Sequence, residues 1–222
     1  KEILYEIVSE LNLSTLQQKS NHQMNGSKII LTKEMLKDDL LKERHTVREK
    51  MAHDEPLVGV INGMWANAMG QGGILPIESS LFPSAGPMEL KLTGMQGDVM
   101  KESMSVAKTL AWSLLTDDQK TTCMERMNGE VFKHGIHIHC PEGAVPKDGP
   151  SAGTAITVVM YSLMTGRKIK NLLSITGEMC LQGKVTAIGG LDLKILGAVR
   201  AGVKEVLFPK ENEKDYDEFM EK

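Results

Sequence analysis

The chain has 222 residues, of which 41% are hydrophobic and 25% are charged, and its formal net charge is −3. This is enough material for one sizeable domain with an appendage, and the lack of a basic excess argues against a nucleic-acid-binding protein. No apolar run approaches the roughly 18 residues that cross a bilayer, and the N-terminus does not resemble a signal peptide.

The first quarter of the chain is predicted to be helical and separate from the rest. Apolar residues recur at helical spacing up to about residue 13, and Asn25-Gly26 marks a turn in the polar stretch that follows. Thr32 is suited to cap a second helix that runs to about Arg44. Charged residues then lead to Pro56, so we predict a domain boundary near residue 55.

Beyond this boundary strands and helices alternate, which predicts a mixed α/β domain over residues 56–222. Strands are predicted at residues 57–64, 74–78, 90–93, 136–140, 172–176, 185–188 and 205–208, the first two joined as a hairpin. Helices are predicted from Asp98 to about Leu114, from Thr116 onward, and over residues 152–164 and 191–201. Thr116 and Gln119 have the spacing of a capping box, and Gly166 and Gly202 end the last two helices.

The most informative segment is residues 146–153, with the sequence PKDGPSAG. Its Gly-Pro pair cannot continue a helix or a sheet, so it forces a sharp turn before Ser151, which opens an apolar helix. The amides in the first turn of a helix have no partner within the helix and are able to hold an oxyanion. Ser151 is therefore a candidate nucleophile. The alternative is a helix N-cap, the commoner role of serine before a helix.

A nucleophilic serine needs a base, and two kinds of side chain are candidates. His137 and His139 alternate on one strand face, which makes a Ser-His pair conceivable, although a half-exposed strand explains this spacing by itself. With His134 they suggest a metal, but no carboxylate or cysteine completes a ligand pattern, and the three cysteines of the chain indicate a reducing compartment. Lys194 lies in an apolar helix, where partial burial lowers the pKa of a lysine; a solvated lysine is the alternative.

The residues around these candidates resemble the Lon protease family. Three blocks carry the resemblance: residues 141–153 (PEGAVPKDGPSAG), residues 176–178 (TGE), and residues 189–202, which include GGLDLK and AVRAG. Residues 97–103 (GDVMKES) match a further block, and the similarity extends from about Val58 to about Lys214. The resemblance implies a Lon proteolytic domain of the ribosomal protein S5 domain 2-like fold, preceded by a short helical segment.

By this resemblance Ser151 and Lys194 form a Ser-Lys catalytic dyad, and Thr176 orients the lysine through a hydrogen bond. Asp148 lies beside the nucleophile as a gate for the site rather than as a catalytic residue. The resemblance leaves His137 and His139 a structural or supporting role.

The sequence departs from the family pattern at two places. The family often has a Thr-Glu pair in its first hairpin, whereas residues 65–69 read WANAM, so no acidic contributor is assigned there. After the Pro-x-x-Asn block, the family pattern continues for about one strand and one helix beyond Lys222.

The resemblance also implies a longer protein. Residues 1–55 resemble the end of the small helical subdomain of an ATPase module, but the chain has no Gly-x-x-x-x-Gly-Lys-Ser/Thr loop. ATP and magnesium are thus expected in a missing ATPase part, and no cofactor or metal in this fragment. The implied function is ATP-dependent cleavage of unfolded, damaged or regulatory proteins through an acyl-enzyme.

The expected assembly is a homohexamer in the cytoplasm, with the mitochondrial matrix or peroxisome as alternatives, and with neither membrane nor nucleic acid as a partner. Two other functions stay open. One is a Ser-Lys peptidase that processes only itself or a polyprotein, and the other is an inactive module that assembles a ring.

Overall fold

The computed structural model describes residues 51–141 and 148–221, together with two short strands nearer the N-terminus. The chain divides into two compact units, Lys1–Arg48 and Glu49–Lys222. In the first unit, β1 (Met24–Asn25) and β2 (Lys28–Ile29) pair antiparallel on either side of the predicted turn. Both predicted helices of this unit lie outside the described residues.

The second unit is built on a mixed sheet, which has six strands within the described residues. The strands, in the order β10-β7-β3-β4-β6-β5 across the sheet, are β3 (Val60–Ala66), β4 (Gly72–Ser84), β5 (Leu90–Thr93), β6 (Lys133–His139), β7 (Leu173–Ile175) and β10 (Glu205–Leu207). The strands β10, β7 and β3 run parallel, β4 is antiparallel to both of its neighbours, and β5 is parallel to β6. A separate small hairpin pairs β8 (Glu178–Met179) with β9 (Val185–Thr186). The predicted mixed α/β class is confirmed.

Helices cover both faces of this sheet. They are α1 (Asp98–Ser113), α2 (Asp117–Asn128), α3 (Gly153–Thr165), α4 (Leu191–Arg200) and α5 (Glu213–Met220). Since side chains alternate along a strand, Ile61 of β3 packs in the main core with α1, α2 and α3, whereas Met64 packs on the opposite face with Ala198 of α4. None of the described helices is both long and apolar enough to cross a membrane.

The hairpin strands differ from their predicted bounds. Strand β4 has 13 residues instead of the predicted 74–78, because residues 72–78 pair with β3 and residues 78–84 pair with β6. Its second half is less buried than its first, so its hydrophobic pattern fades along the chain. Strand β3 begins at Val60 rather than at Leu57, since Gly59 has a φ of 72° and Leu57 forms an isolated bridge with Ile169.

Local signals predicted the helix ends well. The capping box of α2 is confirmed: Gln119 N donates to Thr116 Oγ1 at 3.3 Å, and Thr116 N donates to Gln119 Oε1 at 3.0 Å. Gly166 after α3 has a φ of 72° and Gly202 after α4 has a φ of 81°, the left-handed conformation that ends a helix. The short helix α5 was not predicted, because its sequence EKDYDEFM is mostly polar and contributes no buried residue. The two-residue strand β8 was not predicted either, and the remaining predicted elements of the second unit overlap their expected ranges, with small differences at the ends.

Candidate active site

Ser151 lies in a 3-10 turn, Pro150–Ala152, that leads directly into α3. Gly149 before this turn has a φ of 123°, which favours glycine, and Pro150 supplies the fixed φ of the first turn residue. The N-cap of α3 is Ala152, and neither the turn nor α3 has a side-chain cap. The interpretation of Ser151 as a helix N-cap is therefore wrong, and the half-buried serine is left for another role.

Thr176 joins the serine segment to the lysine helix. It follows β7 directly, and its hydroxyl donates to the carbonyl oxygen of Ser151 at 3.1 Å and accepts from Lys194 Nζ at 3.3 Å. The next amide, Gly177 N, donates to the same Ser151 carbonyl at 2.9 Å. Two hydrogen bonds thus hold the main chain of Ser151 at the carboxyl end of β7, and the same threonine holds the lysine.

Lys194 is buried, with 3% of its surface exposed. It shares the inner face of α4 with Leu191 and Ala198, which pack towards the sheet. Burial lowers the pKa of Lys194 to about 8, because the ammonium loses its hydration. The alternative of a solvated lysine is therefore wrong, and this amine becomes neutral near pH 8 rather than near the ordinary pKa of 10.5.

Glycines allow α4 to lie directly on β4. A Cβ atom on Gly197 would lie 2.3 Å from Gly73 N, and one on Gly72 would lie 2.1 Å from the carbonyl oxygen of Leu193. Neither distance is possible for a residue with a side chain, so glycine is required on both elements. This close contact fixes the height of Lys194, the residue after Leu193, above the sheet.

Asp148 anchors the segment that carries Ser151. Its Oδ1 accepts from Met100 N in the first turn of α1 at 3.0 Å and from Gly149 N at 2.9 Å. Gly97, the N-cap of α1, has no side chain that could accept a hydrogen bond from the first-turn amides. A Cβ atom on Gly97 would lie 2.3 Å from Asp148 Cγ, so only glycine leaves room for the carboxylate. Asp148 therefore caps α1 from a distant segment. Sequence reasoning missed this cap, because Asp148 lies 48 positions from Met100 and no local pattern links the two. The implied role of Asp148 as a gate stays a prediction.

The histidines hydrogen-bond to a threonine on the neighbouring strand. Thr93 Oγ1 lies 2.9 Å from His137 Nε2 and 2.8 Å from His139 Nδ1. A hydroxyl has one hydrogen and two lone pairs, so Thr93 donates to at most one ring and accepts from at least one of them. Burial lowers the pKa of His137, and the positive charge of Lys91 and neighbouring His139 add to this. These contacts on the β5–β6 pair favour a structural role. Among the described residues, no cluster of three or more His, Cys, Asp or Glu side chains could hold a metal.

Known proteins resemble this chain over most of its length. The model of the Lon protease (S16) C-terminal proteolytic domain matches residues 30–222. A mitochondrial Lon protease homolog of Phaeodactylum tricornutum is 39% identical over 227 aligned residues, which cover 98% of this chain and 25% of that protein. A Lon protease homolog of Acanthamoeba polyphaga mimivirus is 39% identical over 196 residues, 85% of this chain and 18% of that protein.

A third relative is more similar over a shorter stretch. The Lon protease of Wolbachia pipientis subsp. Culex pipiens is 44% identical over 170 residues, which cover 76% of this chain and 19% of that protein. The chain thus spans a quarter or less of the length of these relatives. Since the family model covers far more than half of the chain, the chain belongs to the Lon protease family and comprises its C-terminal proteolytic domain.

Proposed function

We propose that this domain is a serine endopeptidase in which Ser151 is the nucleophile and Lys194 is the general base. One observation carries the proposal. A lysine that is 3% exposed, with a pKa lowered to about 8, shares the hydroxyl of Thr176 with the main chain of Ser151. A buried lysine is costly to the fold unless a carboxylate pairs with it. Here burial shifts the pKa and no described carboxylate offsets it, which suits a base more than a structural ion pair.

The proposed reaction passes through an acyl-enzyme. Neutral Lys194 takes the proton of Ser151 Oγ, and Oγ attacks the carbonyl carbon of the peptide bond. Backbone amides around Ser151 hold the resulting oxyanion. The ammonium of Lys194 then gives its proton to the leaving amine as the C–N bond breaks. Water next loses a proton to Lys194 and attacks the ester, and Ser151 regains its proton when the acid product leaves. Thr176 keeps Nζ oriented throughout.

Three substitutions test the dyad with a fluorogenic peptide substrate. Ser151→Ala should abolish cleavage because it removes the attacking oxygen. Lys194→Gln should fail because an amide cannot accept the proton, and Lys194→Arg because guanidinium stays charged. Wild-type kcat/KM should rise with pH through about 8, where the lysine becomes neutral.

The histidines provide the contrasting outcome. His137→Gln and His139→Gln should keep most of the activity, because both rings bond to Thr93. Wild-type rates in Lys194→Gln, or a complete loss in either histidine variant, would show that the base is misassigned and would favour a Ser-His pair. Thermal melts of all variants identify any that lose activity by unfolding.

The proposal extends to the protein that contains this domain. Its substrates are unfolded, damaged or regulatory proteins, and residues 1–55 are the end of an ATPase subdomain whose remaining part binds ATP and magnesium. The assembly is a homohexamer, and the location is the cytoplasm, with the mitochondrial matrix or peroxisome as alternatives. The family resemblance supports each of these points.

Casein degradation by the full-length protein, measured with and without ATP, tests the substrate class and the need for the motor. Cleavage of the chain itself with none of casein would favour a self-processing peptidase. Complete inactivity together with ring formation, as measured by light scattering, would favour the inactive assembly module. Fluorescence microscopy of the tagged full-length protein tests the location.

A further inference from the structure

We propose that Asn62 and Ser174 hold a buried water molecule that hydrogen-bonds to the charged form of Lys194. Asn62 is 1% exposed and Ser174 is 0% exposed. Asn62 Oδ1 and Ser174 Oγ are both inaccessible to solvent, and neither has a hydrogen-bond partner among the residues that the structure describes. Buried polar atoms are nearly always hydrogen-bonded, and an ordered water is the usual partner where the protein supplies none.

The two atoms belong to directly opposed residues. Asn62 of β3 is the register partner of Ser174 of β7, and neighbouring strands lie about 4.8 Å apart. The amide group of Asn62 is fixed, since its Nδ2 donates to the carbonyl oxygen of Leu173 at 3.0 Å, so Oδ1 is the atom left over. One water between these side chains can hydrogen-bond to both Oδ1 and Oγ. A buried water usually makes two to four hydrogen bonds, and these two atoms supply two of them.

This water site lies on the face of the sheet that α4 covers. Ile175 packs in the main core with α1 and α3, so Ser174 and Thr176, its neighbours on either side, point to the opposite face. Lys194 is on the inner face of α4 and bonds to Thr176 Oγ1 at 3.3 Å. Two residues along a strand are about 6.6 Å apart, a separation that a water on Ser174 Oγ and the amino group on Thr176 are able to bridge.

The reaction explains why the lysine needs this water. This role of the water rests on the proposed function, in which Lys194 becomes an ammonium during each turnover. An ammonium has three N–H donors. One reaches Thr176 and one faces the serine or the leaving amine, so the third requires another acceptor. The water supplies that acceptor without placing a permanent negative charge beside the base.

Among the described residues, no charged side chain supplies the third acceptor. Strands β3 and β7, which carry Asn62 and Ser174, have no titratable residue. Burial lowers the pKa of Lys194, and no charged group on the described elements around it contributes to this shift. Those groups are Asp192 and Arg200 in α4, Glu78 in β4, Asp148 before the serine, Glu178 in β8, Glu205 in β10, and Glu213, Lys214, Asp215, Asp217 and Glu218 in α5.

The test is the pH profile of kcat/KM for peptide cleavage by the full chain carrying Ser174→Val or Ser174→Ala. Valine fills the place of the water, and alanine removes one of its partners. A hydrogen bond to a charged group is worth about one to two pKa units, so the midpoint should fall by about one pH unit in Ser174→Val and by less in Ser174→Ala. An unchanged midpoint in both active variants overturns the proposal.

Ser162→Ala is the matched control. This serine is also buried, at 2% exposure, but its hydroxyl accepts from Gly59 N at 2.9 Å and donates to the carbonyl oxygen of Arg167. Its loss should lower the melting temperature and leave the midpoint unchanged, whereas Ser174→Ala should shift the midpoint with little change in melting temperature. Equal shifts in Ser162→Ala and Ser174→Ala would show a general effect of packing and also overturn the proposal.

Two further results separate this inference from the dyad. If Lys194→Gln is inactive and the midpoint of the pH profile is unchanged in the Ser174 variants, the dyad is supported and the water site is refuted. If Lys194→Gln is active, the dyad itself falls. A high-resolution crystal structure of the wild-type chain gives an independent check that does not depend on activity. Density for a water within hydrogen-bond distance of both Asn62 Oδ1 and Ser174 Oγ is expected, and its absence counts against the site even if the variants fail to fold.

Discussion

Replacing Gly97 with alanine should displace Asp148 from α1 and slow proteolysis, although neither residue is proposed to take part in the chemistry. The added Cβ would lie 2.3 Å from Asp148 Cγ and 2.5 Å from its Oδ2, far inside van der Waals contact. The carboxylate must therefore leave Met100 N, its partner at 3.0 Å. Because Asp148 stands three residues before Ser151, the serine segment loses the anchor that holds it against α1.

The size of the effect follows from the contacts that are lost. A side-chain cap is worth about 1 kcal/mol, and a negative charge near a helix N-terminus adds about 0.3–1 kcal/mol. The free energy of unfolding should therefore fall by about 1–2 kcal/mol, which lowers the melting temperature by about 2–8 °C for a domain of this size. Since a displacement of about 1 Å can reduce catalysis about a hundredfold, kcat should fall more than the stability loss alone explains.

A double-mutant cycle measures this coupling. Gly97→Ala and Asp148→Ala each break the same contact, so the double variant should resemble Asp148→Ala alone in both urea unfolding and peptide kinetics. Asp148→Asn keeps an acceptor oxygen and should fall between wild type and Asp148→Ala. Additive losses in the double variant, or a Gly97→Ala variant with wild-type stability and kcat, would refute the reasoning.

Three other features lead to further predictions. Gly197→Ala should destabilise the domain by about 1–3 kcal/mol through overpacking and should lower kcat, because α4 must lift from β4 and carry Lys194 with it; a melt and a rate measurement with normal values would contradict this. Thr116→Ala should cost about 1 kcal/mol by removing the cap of α2 while kcat stays unchanged, which urea unfolding and kinetics will show. The lowered pKa of His137 means that the fold favours its neutral ring, so stability is retained above the ordinary histidine pKa of about 6.5 and is lost as pH falls below it. Unfolding measured from pH 7 to pH 5 should show this loss, and His137→Gln should reduce it; an identical pH dependence in that variant would exclude His137 as its source.

Features encoded within a few residues could be predicted from the sequence. Thr116 and Gln119 cap α2 from three positions apart, and Gly166 ends α3 where the apolar pattern stops. The alternating apolar and polar residues around Ile136 and Ile138 likewise identify β6. In each case the physical cause lies within the same short stretch of chain, so the pattern is visible without the fold.

Features that depend on distant segments could not be predicted in this way. The second half of β4 is a strand because it pairs with β6, about fifty to sixty residues later in the chain. The bond between Asp148 and Met100 joins residues 48 positions apart, and no local pattern places Ser174 opposite Asn62. Local pattern also left Ser151 and Lys194 as candidates among others, and the family resemblance selected them. The structure adds the shared hydroxyl of Thr176, a contact that depends on the whole sheet.

The position of β7 has a consequence for the newly made protein. The helix after Ser151 and the helix that carries Lys194 cover opposite faces of the sheet, and they meet at Thr176 only once β7 lies between β3 and β10. The bond from Asn62 to Leu173 across β3 and β7 joins residues 111 positions apart, and such distant contacts are slow to form because a long loop must close first. If Ser151 and Lys194 form the proposed dyad, a chain that is still leaving the ribosome contains the serine before its active site has assembled.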